Sequence, residues 1–469
     1  MHPYADIGAA SGHRQGQPGF GVALGHRYGQ GNRRNCNMEK ILIINGKVVN
    51  PEGKSGQLDI LIEGGTVKSI ADAGSISDTV TGDAEDIKVI DASGCIVSPG
   101  FVDVHTHFRD PGQTHKEDIF TGAEAAKRGG YTSVVLMANT VPAVDNAETL
   151  AYVLERGRQT GINILSCVNV TRGMQGKELV DMASLKEAGA AGFTDDGRPL
   201  MDAELVKKAM EICASLGMIL SFHEEDPAYI KNNGINHGKA SEHFGIYGSD
   251  REAEISMIRR DIGLALETGA EIDIQHISTA EGVELVREAR KKSVKIHAEA
   301  TPHHFSLTED SVIEYGTLAK MNPPLRTEAD RLAVAEGLRD GTIEMIATDH
   351  APHSKEEKDR PLTEAPSGII GLETMVPLAM MNLVEPGILS MEQFIERASC
   401  GPAKVYGLDA GVIKEGAQAD ICIFDPKEKW TAGDYRSKSS NSPFTGQEMR
   451  GKVKWTICRG RIVNDQSID

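Results

Sequence analysis

No run of about 18 apolar residues occurs in this 469-residue sequence, so no membrane-spanning helix is expected. Positive charge is in deficit. The 50 Lys and Arg face 68 Asp and Glu, a formal net charge of −18, which argues against nucleic acid or an anionic membrane as a general partner. An anionic substrate is not excluded, because a local Arg overrides the global field. Cysteine is sparse and unpaired in sequence. Cys36, Cys95, Cys167, Cys213, Cys400, Cys422 and Cys458 form no CxxC, which fits reduced thiols in a cytoplasm better than a disulfide framework. No GxGxxG follows a strand-like stretch, so dinucleotide binding has no support. The first 37 residues hold eight Gly, four Arg, no Lys and a single acid, Asp6, and they lack the apolar core of a signal peptide. They read as a disordered extension or a start-site artefact upstream of Met38.

From Met38 the texture becomes regular. Ile41–Ile44, Asn45-Gly46 and Val48-Val49 predict a β-hairpin, and β-like stretches continue through Leu58–Ile62, Thr66–Ile70 and Val89-Ile90. The same texture returns at Asp420–Phe424 and Val453–Cys458, with Arg459-Gly460 as a further hairpin turn before Arg461–Val463. The two ends therefore predict one small β-sandwich domain, residues 38–98 with 405–469, bracketing a barrel at 99–404. In that middle, apolar strands at Ile96–Val104, Ser133–Met137, Ile162–Val168, Ala191–Thr194, Ile219–Phe222, Ile272–Gln275, Lys295–Ala298 and Ile343–Ala347 alternate with helical patterns. One such helix starts at an Asp202 cap, buries Leu205, Ala209, Ile212 and Leu216, and stops at Gly217. Eight alternations indicate an α/β fold, a (β/α)8 TIM-type barrel, with an open doubly wound sheet as the competing topology.

Barrel sites form at the C-terminal ends of strands. Strand one ends in Asp103-Val104-His105-Thr106-His107, and residues i and i+2 of a strand share a side, so both imidazoles can face one metal ion. Other strand ends carry Asp195-Asp196, His223-Glu224, His276 and Asp349-His350. Mixed His and Asp ligation suits Zn²⁺, with other divalent transition metals as alternatives. Such an ion lowers the pKa of bound water towards about 7 and polarises a carbonyl, while a rim carboxylate moves the proton. That is the chemistry an unactivated amide requires.

Pro99-Gly100-Phe101-Val102-Asp103-Val104-His105-Thr106-His107-Phe108-Arg109-Asp110-Pro111-Gly112 closely resembles the opening motif of dihydroorotases, and Thr348-Asp349-His350-Ala351-Pro352-His353 their closing motif. The resemblance runs from about Met38 to the C-terminus, and the β-sandwich around a barrel is a wider trait of the amidohydrolase superfamily. It implies reversible cyclisation of N-carbamoyl-L-aspartate to (S)-dihydroorotate in pyrimidine biosynthesis, by a metal-bound hydroxide. Carried over by position, His105, His107 and Asp349 would bind a first metal, His223 and His276 a second, and Asp196 would bridge them, with one or two Zn²⁺ per subunit. Many relatives place a carboxylated Lys at the bridge. No Lys occurs in Gly192–Gly197, and the Asp version resembles the class I bacterial type. Asp195 is the alternative if the strand is irregular.

Asp349 would be the catalytic base that receives the proton and passes it to the leaving nitrogen. Substrate contacts would come from His107, Arg109, Asn139, Asn322, His353, Ser367 and Gly368, with the Arg109 fork taking the ring carboxylate. Ala365-Pro366-Ser367-Gly368 departs from the Phe-Gly or Pro-Gly of relatives, so backbone contacts are expected there rather than side-chain packing. The charged stretch 355–366 reads either as a mobile flap or as a solvated loop. His303 and His304 are assigned no role. The resemblance further implies a homo-oligomer, a dimer, with assembly beside aspartate transcarbamoylase left open. A hydantoinase or allantoinase is the enzymatic rival, disfavoured by Arg109 and the missing Lys. An inactive scaffold homologue is the rival of another class.

Overall fold

The structure is a computed structural model that describes residues 40–76 and 87–467. The chain divides into Met1–Asn37 and Met38–Asp469, and the described residues all belong to the second unit. The expectation for the first 37 residues lies outside the described residues. Six strands come first: β1 (Lys40–Ile44), β2 (Lys47–Val48), β3 (Gly56–Glu63), β4 (Thr66–Asp72), β5 (Ile87–Asp91) and β6 (Ile96–Pro99). Seven follow: β7 (Phe101–Thr106), β8 (Tyr131–Leu136), β9 (Asn163–Ser166), β10 (Leu220–Phe222), β11 (Ile272–Ile274), β12 (Ile296–Ala300) and β13 (Met345–Ile346). Then come β14 (Ile421–Thr431), β15 (Glu448–Cys458) and β16 (Arg461–Asp465).

Among the described residues, β1–β6 and β14–β16 form one nine-stranded sheet in which strands from both chain ends interleave. The link is β6, which pairs β2 in parallel and β14 antiparallel. Ile41, Ile43, Ile60 and Ile62 share an apolar core with Ile421, Ile423 and Ile457, so the two ends bury a single face. The expected hairpin at Asn45-Gly46 does not form. Both β1 and β2 pair with β3, at Ile60–Ile62 and at Gly56–Gln57, so the turn is a corner along one side of β3 rather than a reversal. Asn45 makes that corner with φ 63°. The second expected hairpin is present: β15 and β16 pair antiparallel, with Arg459 and Gly460 at φ 52° and 68°.

The alternating strands close into a barrel. β7–β8–β9 and β10–β11–β12–β13 are parallel runs. Phe193 joins them through single bridges to Val168 and Leu220, and His350 closes the ring through a bridge to Thr106. Ring closure rules out the open doubly wound sheet. The predicted strand at Ala191–Thr194 is thus reduced to one residue of pairing. Ile96–Val104, read as one strand, is two: it breaks at Gly100, where a Cβ would sit 2.2 Å from the Thr132 side chain, so β6 serves the outer sheet and β7 the barrel. The helix Ala203–Leu216 has the expected Asp202 cap and left-handed Gly217, but it buries Val206, Ala209, Met210 and Cys213. The apolar stripe is rotated by one position from the expected face, and Leu205, Ile212 and Leu216 lie on its half-buried edge. No helix among the described residues is long and apolar enough to cross a membrane.

Candidate metal centre

The residues expected to bind metal or substrate meet at one end of the barrel, whereas Asp195 and Glu224 turn away from it. His105 and His107 lie at the end of β7 and just beyond it, and both are buried. His105 Nδ1 lies 2.9 Å from Glu299 Oε2 on β12, which turns Nε2 inward. There Nε2 is buried without a hydrogen-bond partner, 3.5 Å from Asp196 Oδ1 and 3.6 Å from Asp349 Oδ1. His107 is oriented the same way. Its Nδ1 faces Asn139 Oδ1 at 2.9 Å, and its Nε2 lies 3.0 Å from Asp349 Oδ1 and 3.4 Å from Asp196 Oδ2.

Asp196 is the hub. Its Oδ1 also lies 3.5 Å from His223 Nδ1 and 3.8 Å from His276 Nε2. Asp195 faces away. Its Oδ1 accepts from the backbone N–H of Val170 (2.9 Å) and Thr171 (3.2 Å), and its Oδ2 from the Thr171 hydroxyl. The alternation of side chains along an extended backbone therefore separates a structural Asp from a central one.

The charges follow from this packing. Burial would raise the Asp196 carboxyl, but His105, His223 and His276 hold it well below the usual carboxylate range. Burial would also raise Asp349, and the His107 hydrogen bond with the charges of His105 and His276 depresses it instead. His105 is lifted well above the imidazole range by Glu299 and Asp196 against its own desolvation, and His223 rises to about 10 through Asp196 and Glu225. Glu225 accepts from His223 Nε2 at 2.9 Å. Backbone geometry at the centre is unusual as well. Arg109, His276 and Asp349 have φ of 57°, 34° and 45°, and each such non-glycine residue costs about 1–3 kcal/mol, which the surrounding contacts offset.

This donor set fits a divalent transition ion. Nitrogen and oxygen atoms of His105, His107 and Asp349 all lie within 4.8 Å of one another, and so do those of His105, Asp196 and His276. Each imidazole offers one inward nitrogen, and for three of them a carboxylate or amide fixes the other, as metal-binding histidines require.

Beside the metal set is a cavity of about 140 Å³, lined by His107, Arg109, Asn139, Asn322, Ser367 and Gly368 among others. Arg109 donates from Nε to Pro352 O (3.3 Å), and its Nη2 lies 3.4 Å from His353 Nε2, which places His353 behind the guanidinium. Asn322 Oδ1 is buried without a partner. Asn139 holds His107 and also donates to Asp196 Oδ2 (3.0 Å), so it ties the two ligand groups together. The Gly368 N–H donates to Lys320 O (2.8 Å), so this amide is already engaged within the protein. A larger cavity of about 840 Å³ shares Gly197 and His223 with this site and opens past Arg198 and Asn233.

Several contributors escaped the sequence reading. Glu299, Glu225 and Asp103 are buried acids that orient site elements. Asp103 accepts from the His105 N–H (3.0 Å) and the Thr348 hydroxyl (2.6 Å), joining the first barrel strand to the last. The only trace of Glu299 was weak, an acid in the run Ile296–Ala300, which also holds His297. His304 is structural, bridging the Thr301 hydroxyl and Pro323 O, and burial pushes His303 down to about 4. The stretch after strand eight is largely exposed, as a solvated segment is, but it is not wholly a loop. Lys355–Lys358 is helical, and buried Lys320 and Lys358 hold the carbonyls that follow.

Comparison with known proteins matches these features. Residues 96–463 match the model of the amidohydrolase family. A dihydroorotase of Clostridioides difficile is 53% identical over 424 residues, covering 90% of this chain and 99% of that one. The chain belongs to the amidohydrolase family, among the dihydroorotases. A dihydroorotase of Streptococcus thermophilus is 48% identical over 90% of the chain and 99% of its own length. In fold, an L-hydantoinase of Arthrobacter aurescens superposes with a TM-score of 0.81 at 24% identity, covering 92% of this chain and 97% of that one. That likeness is to the shared barrel and β-rich domain, which dihydroorotases and hydantoinases have in common.

Proposed function

We infer that this amidohydrolase is a dihydroorotase, which interconverts N-carbamoyl-L-aspartate and (S)-dihydroorotate. The observation that carries the reading is Arg109. A guanidinium backed by His353 lines the same 140 Å³ cavity as Asp196 and Asp349, so a ring carboxylate and a ring amide can be held together. Hydantoin and allantoin rings carry no carboxylate for this arginine, and no lysine stands at the bridging position.

In this reading His105, His107 and Asp349 hold one divalent ion, with Asp196, His223 and His276 available for a second. Zinc is the ion proposed. A divalent ion held by these residues would supply Lewis acidity, which polarises an amide carbonyl and lowers the pKa of water. Asp349 takes the proton of the attacking water and delivers it to the ring nitrogen as the C–N bond breaks. In the biosynthetic direction it returns the proton and the ring closes. Arg109, with Asn322 and the Ser367–Gly368 wall, holds the substrate so that its amide faces Asp349. The six free, buried cysteines among the described residues support a reducing compartment such as the cytoplasm. A homodimer is the proposed assembly, with aspartate transcarbamoylase as a candidate partner, and light scattering with and without that enzyme tests both.

Purified, zinc-loaded protein should hydrolyse dihydroorotate and leave hydantoin and allantoin nearly untouched. Equal or faster turnover of either carboxylate-free ring would overturn the assignment. Absence of turnover on all three with metal bound would favour the scaffold reading.

A further inference from the structure

Two lysines outside the reacting centre stand behind the wall of the substrate cavity. Lys320 and Lys358 are 4% and 3% exposed. Among the described residues neither forms an ion pair, and both spend their donors on main-chain carbonyls. Lys320 Nζ donates to Leu362 O (2.8 Å) and Ala365 O (2.7 Å), and Lys358 Nζ to Pro366 O (2.9 Å) and Gly368 O (3.0 Å). Residues 361–368 belong to no helix or strand, so no ladder shapes them. On the other side Asn441, from the connection between β14 and β15, donates to Gly368 O and Ala351 O (3.1 Å each) and accepts from the His353 N–H (3.1 Å). Gly368 itself sits at φ 108°, where a Cβ would lie 2.6 Å from Ala351, so the chain passes as close as the backbone allows.

Burying an ammonium without a counter-ion is costly, because its hydration is lost and not replaced by an opposite charge. Desolvation draws Lys320 down to about 8 and Lys358 to about 7. A neutral side chain would spare that cost, so the charge that Lys320 mostly keeps and Lys358 keeps in part at neutral pH calls for a use. The segment the two lysines hold carries Ser367 and Gly368, which line the same cavity as Arg109. An anion bound there would supply counter-charge to ammonium groups that have no ion-pair partner among the described residues.

We propose that Lys320 and Lys358 are positioning residues that shape segment 362–368 into the carboxylate-receiving wall and keep that end of the cavity positive, so that they set affinity for the anionic substrate rather than the rate of the chemical step. This rests on the dihydroorotase reading for the identity of the anion.

The test uses the full-length, metal-loaded protein and the variants Lys358→Met and Lys320→Met. Each should raise KM for dihydroorotate about tenfold or more, the effect of losing hydrogen bonds made by a charged group, with kcat within about threefold. Metal content should be unchanged, and amide hydrogen exchange over 362–368 should accelerate. Folded variants with KM and exchange both at wild-type levels would overturn the proposal, as would a loss confined to kcat. If Lys358→Met does not fold, Lys358→Gln, which keeps a donor without the charge, should show the same rise in KM. Should the wild-type protein fail to turn over dihydroorotate, the functional reading falls, while the exchange measurement still decides whether the lysines shape the wall.

Discussion

In the proposed mechanism Asp349 and Arg109 divide the work between bond-breaking and recognition, and their surroundings are consistent with that division. Burial alone would raise the Asp349 carboxyl, but His107 and His105 against it hold it ionised, so it carries no proton of its own when substrate arrives. Asp349→Asn should lower kcat by a factor of about 10² to 10⁴, the usual contribution of a positioned acid–base group. Metal content measured on the same sample separates lost proton transfer from lost metal. Arg109 is fixed by Pro352 O and His353, so its planar fork is pre-aimed. Arg109→Lys keeps the charge and loses the fork. KM for dihydroorotate should rise about tenfold or more with kcat little changed, and an unaltered KM would remove Arg109 from substrate recognition. Both residues were legible in the sequence because they sit in short motifs at strand ends. Glu299 and Asn441 were not. Their roles come from meeting His105 on another strand and His353 on another loop, across 194 and 88 residues of sequence.

At the scale of the element, what the sequence conveyed well were helix ends and strand periodicity, both local properties. Asp202 and Gly217 bound their helix as expected because a cap is a contact between near neighbours. The side that helix buries depends on the barrel beneath it, and there the expectation was off by one position. The hairpin at Asn45-Gly46 failed for the same reason: the turn chemistry was right, but β3 took both flanking strands. Asp330 shows how several elements can hang on one buried carboxylate. It accepts from Arg251 (2.6 and 3.3 Å), from the Ala280 N–H (2.9 Å) at the start of helix Ala280–Arg290, and from the Thr327 hydroxyl (2.6 Å) that caps its own helix. Asp330→Ala should destabilise the fold by about 1–3 kcal/mol, because several hydrogen bonds and a helix cap are lost, while Arg251, over a third exposed, keeps water and Glu281 as partners. Burial opposes ionisation of Asp330, but Arg251 and Thr327 outweigh it and hold the carboxyl below its usual value. Its ionic stabilisation is therefore complete above the unfolded value of about 3.9 and is lost as pH falls through the depressed folded value. Melting curves of the wild type and of Asp330→Asn should accordingly differ most near neutrality and converge in acid.

For the whole molecule, the proposed metal ligands would double as a cross-link. His105 and His107 come from the first barrel strand, Asp196, His223 and His276 follow the fourth, fifth and sixth, and Asp349 follows the eighth, so an ion held by them ties most of the ring together. The outer sheet joins the same unit. Ser437 and Lys438, in the connection between β14 and β15, bond Glu117 on the barrel rim, and the Asn441 side chain reaches the His353 N–H. With β6 continuing almost directly into β7, loosening the rim cannot be confined to one part. Removing the metal with a chelator should therefore lower the melting temperature of a single transition, with far-UV circular dichroism and tryptophan fluorescence reporting the same midpoint. Trp430 and Trp455 lie in the outer sheet, so fluorescence reads the part furthest in sequence from the ligands. Restoring the ion at a hundred times its dissociation constant should return about 2.7 kcal/mol to that transition. Asp196→Asn should show a much smaller gain on metal addition, because the carboxylate shared by both donor groups is gone. Separate midpoints for the two probes, or a chelator effect undiminished in Asp196→Asn, would mean that the ion does not brace the ring through Asp196.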